Sequence, residues 1–510
     1  MQSLNLESIL NNADSSATLP LLLLLFSIVF LVAIKQKSSR KLPLPPGPRP
    51  WPIVGNLPQL GKKMHVSMAD LAKTHGGLMS LRLGTQLVIV GSSPEAATEI
   101  LKTHDKELCG RHVPMVSFAT DPKLNKDSIA WSYECGKEWM AFRALMRTEL
   151  FSTKIVETQY HVREKNVRAM VDYLSRKQGE LVAMRDVVYI YTFNTLGNVY
   201  FTRDFMDFDG EEGRRVSALV REMMELWSAP NISDLYPILS RFDLQGLRKK
   251  ADVCVKKMCD LWDHSIRERR EIRGKSRHDS SDLAPKNKDF LDILLESGFD
   301  DEQISYIFLE LLAAVSDGST STVEWALSEM VKNPEAMKKA RQELSEQISE
   351  SFVTESQLSK LPYLHACIKE TLRLHPPAPV LLPRRAAQDL EIMNHTIPKN
   401  AQVLVNVWAI ARDEKIWKDP MSFKPERFIN SSVDYKGNDF EYLPFGAGRR
   451  ICAGLPMATR QVLLALANLI HQFEWSLPDN LRPEQLDMEE LFGVTLLKEN
   501  PLALIPKRKF

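Results

Sequence analysis

A single cysteine lies among glycines in residues 445–454, Phe-Gly-Ala-Gly-Arg-Arg-Ile-Cys-Ala-Gly, just before a run of helical periodicity from Met457 to Phe473. The glycines at positions 446, 448 and 454 permit a tight loop whose backbone N–H groups point at the Cys452 sulfur. The N-terminus of the following helix favours negative charge at the same place. This pattern predicts a thiolate that can bind a soft or borderline metal. The alternative from these residues alone is a small buried cysteine.

The composition is that of a folded protein. The 510 residues include 66 Lys and Arg against 65 Asp and Glu, and 44% of residues are hydrophobic. These values exclude disorder, collagen-like repeats and wholesale membrane embedding. A net charge of +1 argues against nucleic-acid binding, because a polyanion requires a surplus of clustered cations. The six cysteines form no CxxC pair, so a reducing compartment is expected.

The N-terminus carries an apolar run, Leu19–Ile34, which is followed at once by Lys35, Lys37, Arg40 and Lys41. With the two preceding residues the run would span roughly 27 Å as a helix, enough for one crossing of a bilayer core of about 30 Å. The cationic flank predicts that the following chain is cytosolic. Residues 1–41 are therefore predicted to form an uncleaved membrane anchor; a cleaved signal peptide and a buried core helix are the alternatives.

A proline-rich segment at residues 42–52 follows the predicted anchor. Proline fixes φ and lacks an N–H, so a stiff extended hinge is expected that sets the distance of the globular body from the membrane. A flexible linker is the alternative. Residues 42–510 are predicted to form one domain that includes this hinge.

Short apolar runs and turn residues predict a β-hairpin near residue 80. Leu78–Leu83 and Gln86–Val90 are joined by Gly84-Thr85, with glycine at the position that type II′ turns favour. Ser93-Pro94 then predicts the N-cap and the first residue of a helix. Beyond this point the pattern is mostly helical, with a smaller β portion.

Helical periodicity dominates residues 128–333, apart from a polar interruption at residues 273–289 that reads as an exposed loop. Further helices are predicted over Phe308–Val331 and Leu358–Leu374. The predicted fold class is therefore mostly α with a smaller β portion.

The ordered pattern Phe-x-x-Gly-x-Arg-x-Cys-x-Gly over residues 445–454 resembles the haem-binding loop of the cytochrome P450 family. Other family patterns match in order: Trp139-x-x-x-Arg143, Glu370-x-x-Arg373 and Pro425-Glu426-Arg427-Phe428. The resemblance implies the cytochrome P450 fold, in a single domain that encloses haem b. It makes Cys452 the ligand of the iron.

The resemblance also implies roles for other residues. The haem contacts implied are Trp139, Arg143, Arg384, Phe445, Arg450 and Cys452. Arginine suits such contacts because it pairs with carboxylates. Glu370, Arg373 and Arg427 are implied to form a buried charge network beneath the haem loop, whereas Glu370 and Arg373 alone would read as a surface i, i+3 pair.

One stretch departs from the family pattern. Aligned on Glu324-Trp325, Val315 stands for the usual glycine, and Gly318 stands for the threonine that handles protons during oxygen activation. Asp317 is retained. The catalytic residues implied are Asp317, Gly318 and Ser319, and the alternative is a variant in which Ser319 or Ser316 replaces the threonine hydroxyl. The sharper hypothesis is that the substrate brings its own acidic hydroxyl, as a phenol does, and loses hydrogen atoms instead of gaining oxygen.

Residues 44–56 and 319–325 resemble plant microsomal members that act on benzylisoquinoline alkaloids. The implied reaction is intramolecular C–C or C–O phenol coupling of a benzylisoquinoline such as reticuline; the alternative is aromatic 3′-hydroxylation of the N-methylcoclaurine type. An apolar pocket suits such a substrate. Its implied lining is Val116, Phe118, Trp227, Ala314, Val380 and Val494.

No flavin or nicotinamide fingerprint appears, so electrons must come from a partner. The resemblance implies an NADPH–cytochrome P450 reductase that docks on the cysteine side, with Lys137, Arg147 and Arg449 as contacts or as solvated surface cations. It further implies a small aromatic alkaloid substrate and a monomer anchored by a single pass in the endoplasmic reticulum membrane. Alternatives of a different class are a reductase-independent isomerase or dehydratase of peroxides and a non-catalytic haem-binding membrane protein.

Overall fold

The computed structural model describes residues 42–276 and 288–509, of which 212–214 and 274–276 are described by their backbone only. Helices make up most of this part of the chain, which confirms the predicted mostly α class. The α-helices are α1 (Leu57–Leu60), α2 (Met64–His75), α3 (Pro94–Thr98), α4 (Pro122–Asn125), α5 (Lys137–Met146), α6 (Thr153–Thr158), α7 (Tyr160–Arg176), α8 (Met184–Phe201), α9 (Glu211–Ser228), α10 (Ile232–Leu235), α11 (Leu247–Ser276), α12 (Phe290–Glu296), α13 (Asp301–Lys332), α14 (Pro334–Gln347), α15 (Pro362–Leu374), α16 (Val407–Ile410) and α17 (Leu455–Gln472).

The strands form four small sheets within the described ranges. They are β1 (Leu78–Leu83), β2 (Gln86–Gly91), β3 (Val182–Ala183), β4 (Arg384–Arg385), β5 (Leu390–Ile392), β6 (His395–Ile397), β7 (Gln402–Val405), β8 (Phe473–Ser476), β9 (Glu490–Leu491), β10 (Leu497–Lys498) and β11 (Ala503–Arg508). The largest sheet has the order β1-β2-β7-β4, with β2 and β7 parallel and the other pairs antiparallel. Its β4 strand carries Arg384 into the site described below.

The long helix α13 is the centre of the molecule. Its 32 residues are about 48 Å long at 1.5 Å per residue. Asp300 caps it, because the Asp300 side chain accepts from the Gln303 amide at 2.8 Å and the Gln303 side chain accepts from the Asp300 amide at 2.9 Å. Helices α8, α11 and α17 pack against it. One face of α13 and the loop before α17 therefore face each other across the interior.

The predicted hairpin is confirmed. β1 and β2 pair antiparallel, with Leu83 opposite Gln86, and Gly84 has φ of 60°. That sign is the one a type II′ turn needs at its first central residue, and glycine adopts it without steric cost. The Ser93 cap is also confirmed, since its side chain accepts from the Ala96 amide at 3.3 Å.

Several predicted helix ends differ from the observed ones. Of the stretch Leu358–Leu374, only Pro362–Leu374 is α-helix, because Pro362 has no N–H and restricts the residue before it. The last predicted helix starts at Leu455 and stops at Gln472, where β8 begins. Helix α11 extends past the predicted loop start to Ser276, and residues 277–287 of that loop lie outside the described part of the chain.

The proline-rich segment, predicted to be a stiff extended hinge, contains no helix or strand over residues 42–50. It lies on the domain: Ser80 donates its amide to the Pro46 carbonyl at 2.8 Å and its hydroxyl to the Pro45 carbonyl at 2.7 Å. A Cβ on Gly47 would come within 2.0 Å of the Ser80 carbonyl oxygen, so only glycine permits this approach. The segment is therefore attached to β1 and does not act as a free spacer.

Across residues 42–276 and 288–509, no helix is both long and apolar enough to cross a bilayer. The apolar run Leu19–Ile34 lies outside the described residues.

Candidate active site

The cysteine loop is tightly folded. The Cys452 amide donates to the Phe445 carbonyl at 3.0 Å, and Gly448 has φ of 69°. A Cβ on Gly448 would lie 2.3 Å from the Leu101 carbonyl oxygen, which requires glycine there. Burial raises the pKa of the Cys452 thiol, while the Gly454 amide, the Arg143 guanidinium and the Leu455 amide oppose that rise. The amides that face the sulfur are thus those at the start of α17.

A large internal cavity opens in front of Cys452. Its volume is about 310 Å³, it is partly open to solvent, and its wall is mainly apolar. The accessible surface of Cys452 faces this space. Phe445 lies beside the cysteine, and α13 supplies the opposite wall through Ala314, Val315, Gly318, Ser319 and Thr322. The sulfur and the distal helix therefore bound one chamber.

Four arginines line the same cavity: Arg111, Arg143, Arg384 and Arg450. Burial lowers the pKa of each guanidinium. In the described structure Arg450 donates to the backbone carbonyls of Cys109, Ile129 and Ser132 at 2.7 to 2.8 Å, and it also has a side-chain hydrogen bond with Cys135. The buried Nε of Arg384 has no hydrogen-bond partner among residues 42–276 and 288–509, although its Nη1 lies 3.4 Å from Asp105.

This lining fits a haem. A soft sulfur donor at one end, an apolar chamber and several buried guanidinium groups suit an apolar, metal-bearing ring with carboxylate substituents. The buried cations lack enough carboxylates of their own, so an anionic ligand would offset their desolvation. Arg111 also belongs to this set, although the sequence analysis did not identify it.

Trp139 packs against the arginines and is not among the residues that line the cavity; its contact with haem stays a prediction. Its Nε1 donates to the Ile129 carbonyl at 3.2 Å, and the Arg450 guanidinium carbon lies 4.3 Å from its ring centroid. A cation over the face of an indole is attracted by the ring. Trp139 therefore orients Arg450.

The predicted charge network is present in the structure. Arg373 makes a bidentate pair with Glu370 at 2.8 Å for both bonds, and the Arg427 Nε donates to Glu370 Oε1 at 2.9 Å. Glu370 and Arg373 are fully buried. The Tyr442 hydroxyl donates to the Lys369 carbonyl at 2.7 Å, which ties this part of α15 to the chain that leads into the cysteine loop.

The distal residues lie on two faces of α13. Gly318 and Ser319 line the cavity, and a Cβ on Gly318 would meet nothing within 4 Å. Asp317 is not among the residues that line the cavity: burial raises the pKa of its carboxyl, Thr495 opposes this, and one carboxylate oxygen has no hydrogen-bond partner within the described part of the chain. Thr322, which the sequence analysis did not identify, also lines the cavity and donates its hydroxyl to the Gly318 carbonyl at 2.8 Å.

Three of the six residues predicted to line the substrate pocket lie in the cavity wall. Trp227, Ala314 and Val494 lie in the cavity wall. The other three residues do not. Val116 is buried in the core, Phe118 packs against Trp227 with ring centroids 6.1 Å apart, and the Val380 carbonyl accepts from the Val405 amide.

Glu310 is a further cavity residue that the sequence analysis did not identify. Its spacing of four residues from Ala314 and eight from Gly318 puts all three on one face of α13, and this signal could have found it. Burial raises the pKa of its carboxyl to about 7, although hydrogen bonds from Ala130, Ser128 and Ile129 oppose the rise.

Together, the helical fold, the cysteine loop and the cation-lined chamber define a haem-thiolate oxidoreductase. The sequence matches the cytochrome P450 family over residues 45–505. It is 46% identical over 482 residues to (S)-N-methylcoclaurine 3′-hydroxylase isozyme 1 of Papaver somniferum, an alignment that covers 94% of this chain and 98% of that protein. It is 43% identical over 487 residues to corytuberine synthase of Coptis japonica, with 94% and 97% coverage. The chain belongs to the cytochrome P450 family and is a monooxygenase-type oxidoreductase.

Proposed function

We propose that this cytochrome P450 couples two phenol rings of a benzylisoquinoline by a new C–C or C–O bond. The observation that carries the proposal is the open space at Gly318. This residue lines the cavity but has no side chain, so it offers no hydroxyl group there. The similarity to corytuberine synthase supports the substrate class. In this reaction dioxygen is reduced to water, and none of its oxygen enters the product.

Coupling removes one hydrogen atom from each of two phenol O–H groups, and a bond forms between the rings. Dioxygen accepts these two hydrogens together with two electrons from NADPH and two protons, so that two molecules of water leave. Bound haem with a thiolate ligand supplies the oxidising chemistry. The chain's residues have the other tasks: Cys452 holds the iron, Arg143, Arg384 and Arg450 hold the carboxylates, and α13 orients the rings.

A second candidate is aromatic 3′-hydroxylation. Two observations favour it: the 46% identity to a protein named (S)-N-methylcoclaurine 3′-hydroxylase, and the cavity-lining hydroxyl residues Ser319 and Thr322. One turn of helix separates Thr322 from Gly318, so its side chain lies on the same face. In a hydroxylase, one of these hydroxyls would replace the absent threonine side chain.

A pair of substrates separates the two candidates. The purified protein, supplied with reductase and NADPH, is incubated with a diphenolic benzylisoquinoline and with the same compound in which one phenol is O-methylated. Coupling requires two free phenols, so we expect a product two hydrogen atoms lighter from the first compound and none from the second. Hydroxylation of both compounds would contradict coupling.

Exchange of Gly318 gives a second test. A Cβ on Gly318 would meet nothing within 4 Å, so the position has room for the start of a threonine side chain in Gly318→Thr, and Gly318→Val is the isosteric control without the hydroxyl. On the coupling proposal the two variants have equal kcat, neither above the wild type, because the added hydroxyl has no task. A kcat for Gly318→Thr several times that of Gly318→Val, in steady-state assays, would show that the site uses an alcohol.

The remaining assignments concern the setting of the enzyme. We propose that residues 1–41 anchor a monomer in the endoplasmic reticulum membrane, with the single domain of residues 42–510 in the cytosol. NADPH–cytochrome P450 reductase would supply the electrons at the face that carries the exposed cations Lys137, Arg147 and Arg449. Arg449 already pairs with Asp105 at 3.3 Å, so Lys137 and Arg147 are the freer contacts. A turnover that requires both NADPH and reductase would support this electron route.

A further inference from the structure

Glu310 is a buried carboxylate in the wall of a mainly apolar cavity, with 3% of its surface exposed. Its Oε1 accepts from the Ser128 hydroxyl at 3.0 Å and from the Ala130 amide. Its Oε2 accepts from the Ile129 amide at 3.0 Å. These donors all come from one loop and fix the carboxylate against it.

The Glu310 carboxylate can accept a further hydrogen bond. An ionised carboxylate offers about four acceptor positions, so three bonds leave one free on Oε2. Within residues 42–276 and 288–509, no Lys, Arg or His lies within salt-bridge distance of Glu310, although the charge of the nearby Arg450 guanidinium opposes the rise in the pKa of Glu310. A buried carboxylate that no cation contacts directly is costly, and a cation from a ligand would offset that cost.

Aromatic rings surround the same part of the cavity. Trp131 and Trp227 both line it, with ring centroids 6.3 Å apart at an angle of 78°. The faces of such rings attract a cation. The Nε1 of Trp227 is buried and has no hydrogen-bond partner among the residues that the structure describes, so it can donate to an oxygen substituent of a ligand.

The position of Glu310 also suits a substrate contact. It lies eight residues before Gly318 on α13, so the two are about 12 Å apart along the helix axis. A ligand held at Glu310 would extend along the face of α13 toward the end of the chamber that holds Cys452.

We propose that Glu310, with Trp131 and Trp227, binds the protonated amine of the substrate. The inference rests on the proposed function, because it takes the substrate to be an alkaloid. It adds the residues that would recognise the amine of that substrate. The three loop bonds alone would give Glu310 a purely structural role, and that role predicts no preference between a cationic and a neutral ligand.

The test compares two ligands by isothermal titration calorimetry on the haem-loaded protein: an N-methyl benzylisoquinoline, cationic at neutral pH, and its neutral N-acyl analogue. In the wild type we expect the amine to bind about tenfold or more tightly than the analogue, the scale of one charge-assisted hydrogen bond. Glu310→Gln should remove this preference by weakening the amine and leaving the analogue unchanged. Ser128→Ala is the matched control, because it removes a loop bond and keeps the charge.

Equal affinities of the two ligands for the wild type would overturn the proposal, and this comparison does not depend on the folding of any variant. Equal weakening of both ligands in Glu310→Gln would also overturn it, since that is the result of a loosened loop. Failure of the wild type to bind either ligand would instead count against the proposed substrate class. Incorporation of oxygen into the product would leave the amine contact intact and contradict only coupling.

Discussion

Replacement of Cys452 by serine is expected to abolish oxidase activity and the strongly red-shifted Soret band of the reduced, carbon-monoxide-treated protein. The sulfur is the soft donor that faces the cavity, and serine offers a hard oxygen that does not ionise at neutral pH. The loop itself should survive, because the bond from the Cys452 amide to the Phe445 carbonyl involves only backbone. The measurement is the difference spectrum of the purified variant beside its turnover.

Cys254→Ser is the matched control. Cys254 is buried on α11, its Sγ lies 3.4 Å from the Leu219 carbonyl, and it does not line the cavity. Its variant should keep the red-shifted band. A red-shifted band in Cys452→Ser would refute thiolate ligation by this residue.

The second large effect concerns stability. Glu370→Gln removes the charge that Arg373 and Arg427 share, and it leaves the fully buried Arg373 without its bidentate partner. Breaking a buried pair in this way costs about 3–5 kcal/mol. We expect a loss of that size in the free energy of unfolding, measured by denaturant titration, with loss of haem at lower denaturant concentration because Tyr442 links α15 to the cysteine loop.

Lys339→Ala provides the comparison, since Lys339 and Glu426 form an ion pair in which both side chains are about half exposed. Exposed pairs contribute about 0–1 kcal/mol, so this variant should unfold close to the wild type. Similar losses in the two variants would show that the Glu370 network is no more important than a surface pair.

Local chemistry made part of the fold predictable. Gly84 and Ser93 have roles that depend on neighbouring residues only, a positive φ in one case and a side-chain cap in the other. The i, i+3 pair Glu370 and Arg373 was predicted for a similar reason, although its burial came from the family resemblance. The end of α17 differed by one residue, because Phe473 pairs with Arg508 in a sheet formed by distant chain segments.

Tertiary placement was not predictable from local pattern. Proline content indicates stiffness, but the attachment of residues 42–52 depends on Ser80, which lies on a strand. Val116 and Phe118 have the apolar character of pocket residues, yet packing against other side chains and packing in the cavity wall look identical in sequence. Glu310 was not identified because a single carboxylate on an apolar helix face does not by itself indicate a binding residue. Its role depends on the hydrogen bonds from the loop that holds it, and these are visible only in the structure.

Turnover under isotopically labelled dioxygen, with a diphenolic benzylisoquinoline, NADPH and reductase, tests the central claim most directly. The open space at Gly318 and the proposed loss of one hydrogen from each phenol both lead us to expect that no oxygen from dioxygen enters the product. Mass spectrometry should find a product two hydrogen atoms lighter than the substrate and free of label, with the label in water. A product that carries one labelled oxygen atom would contradict coupling and establish the protein as a hydroxylase.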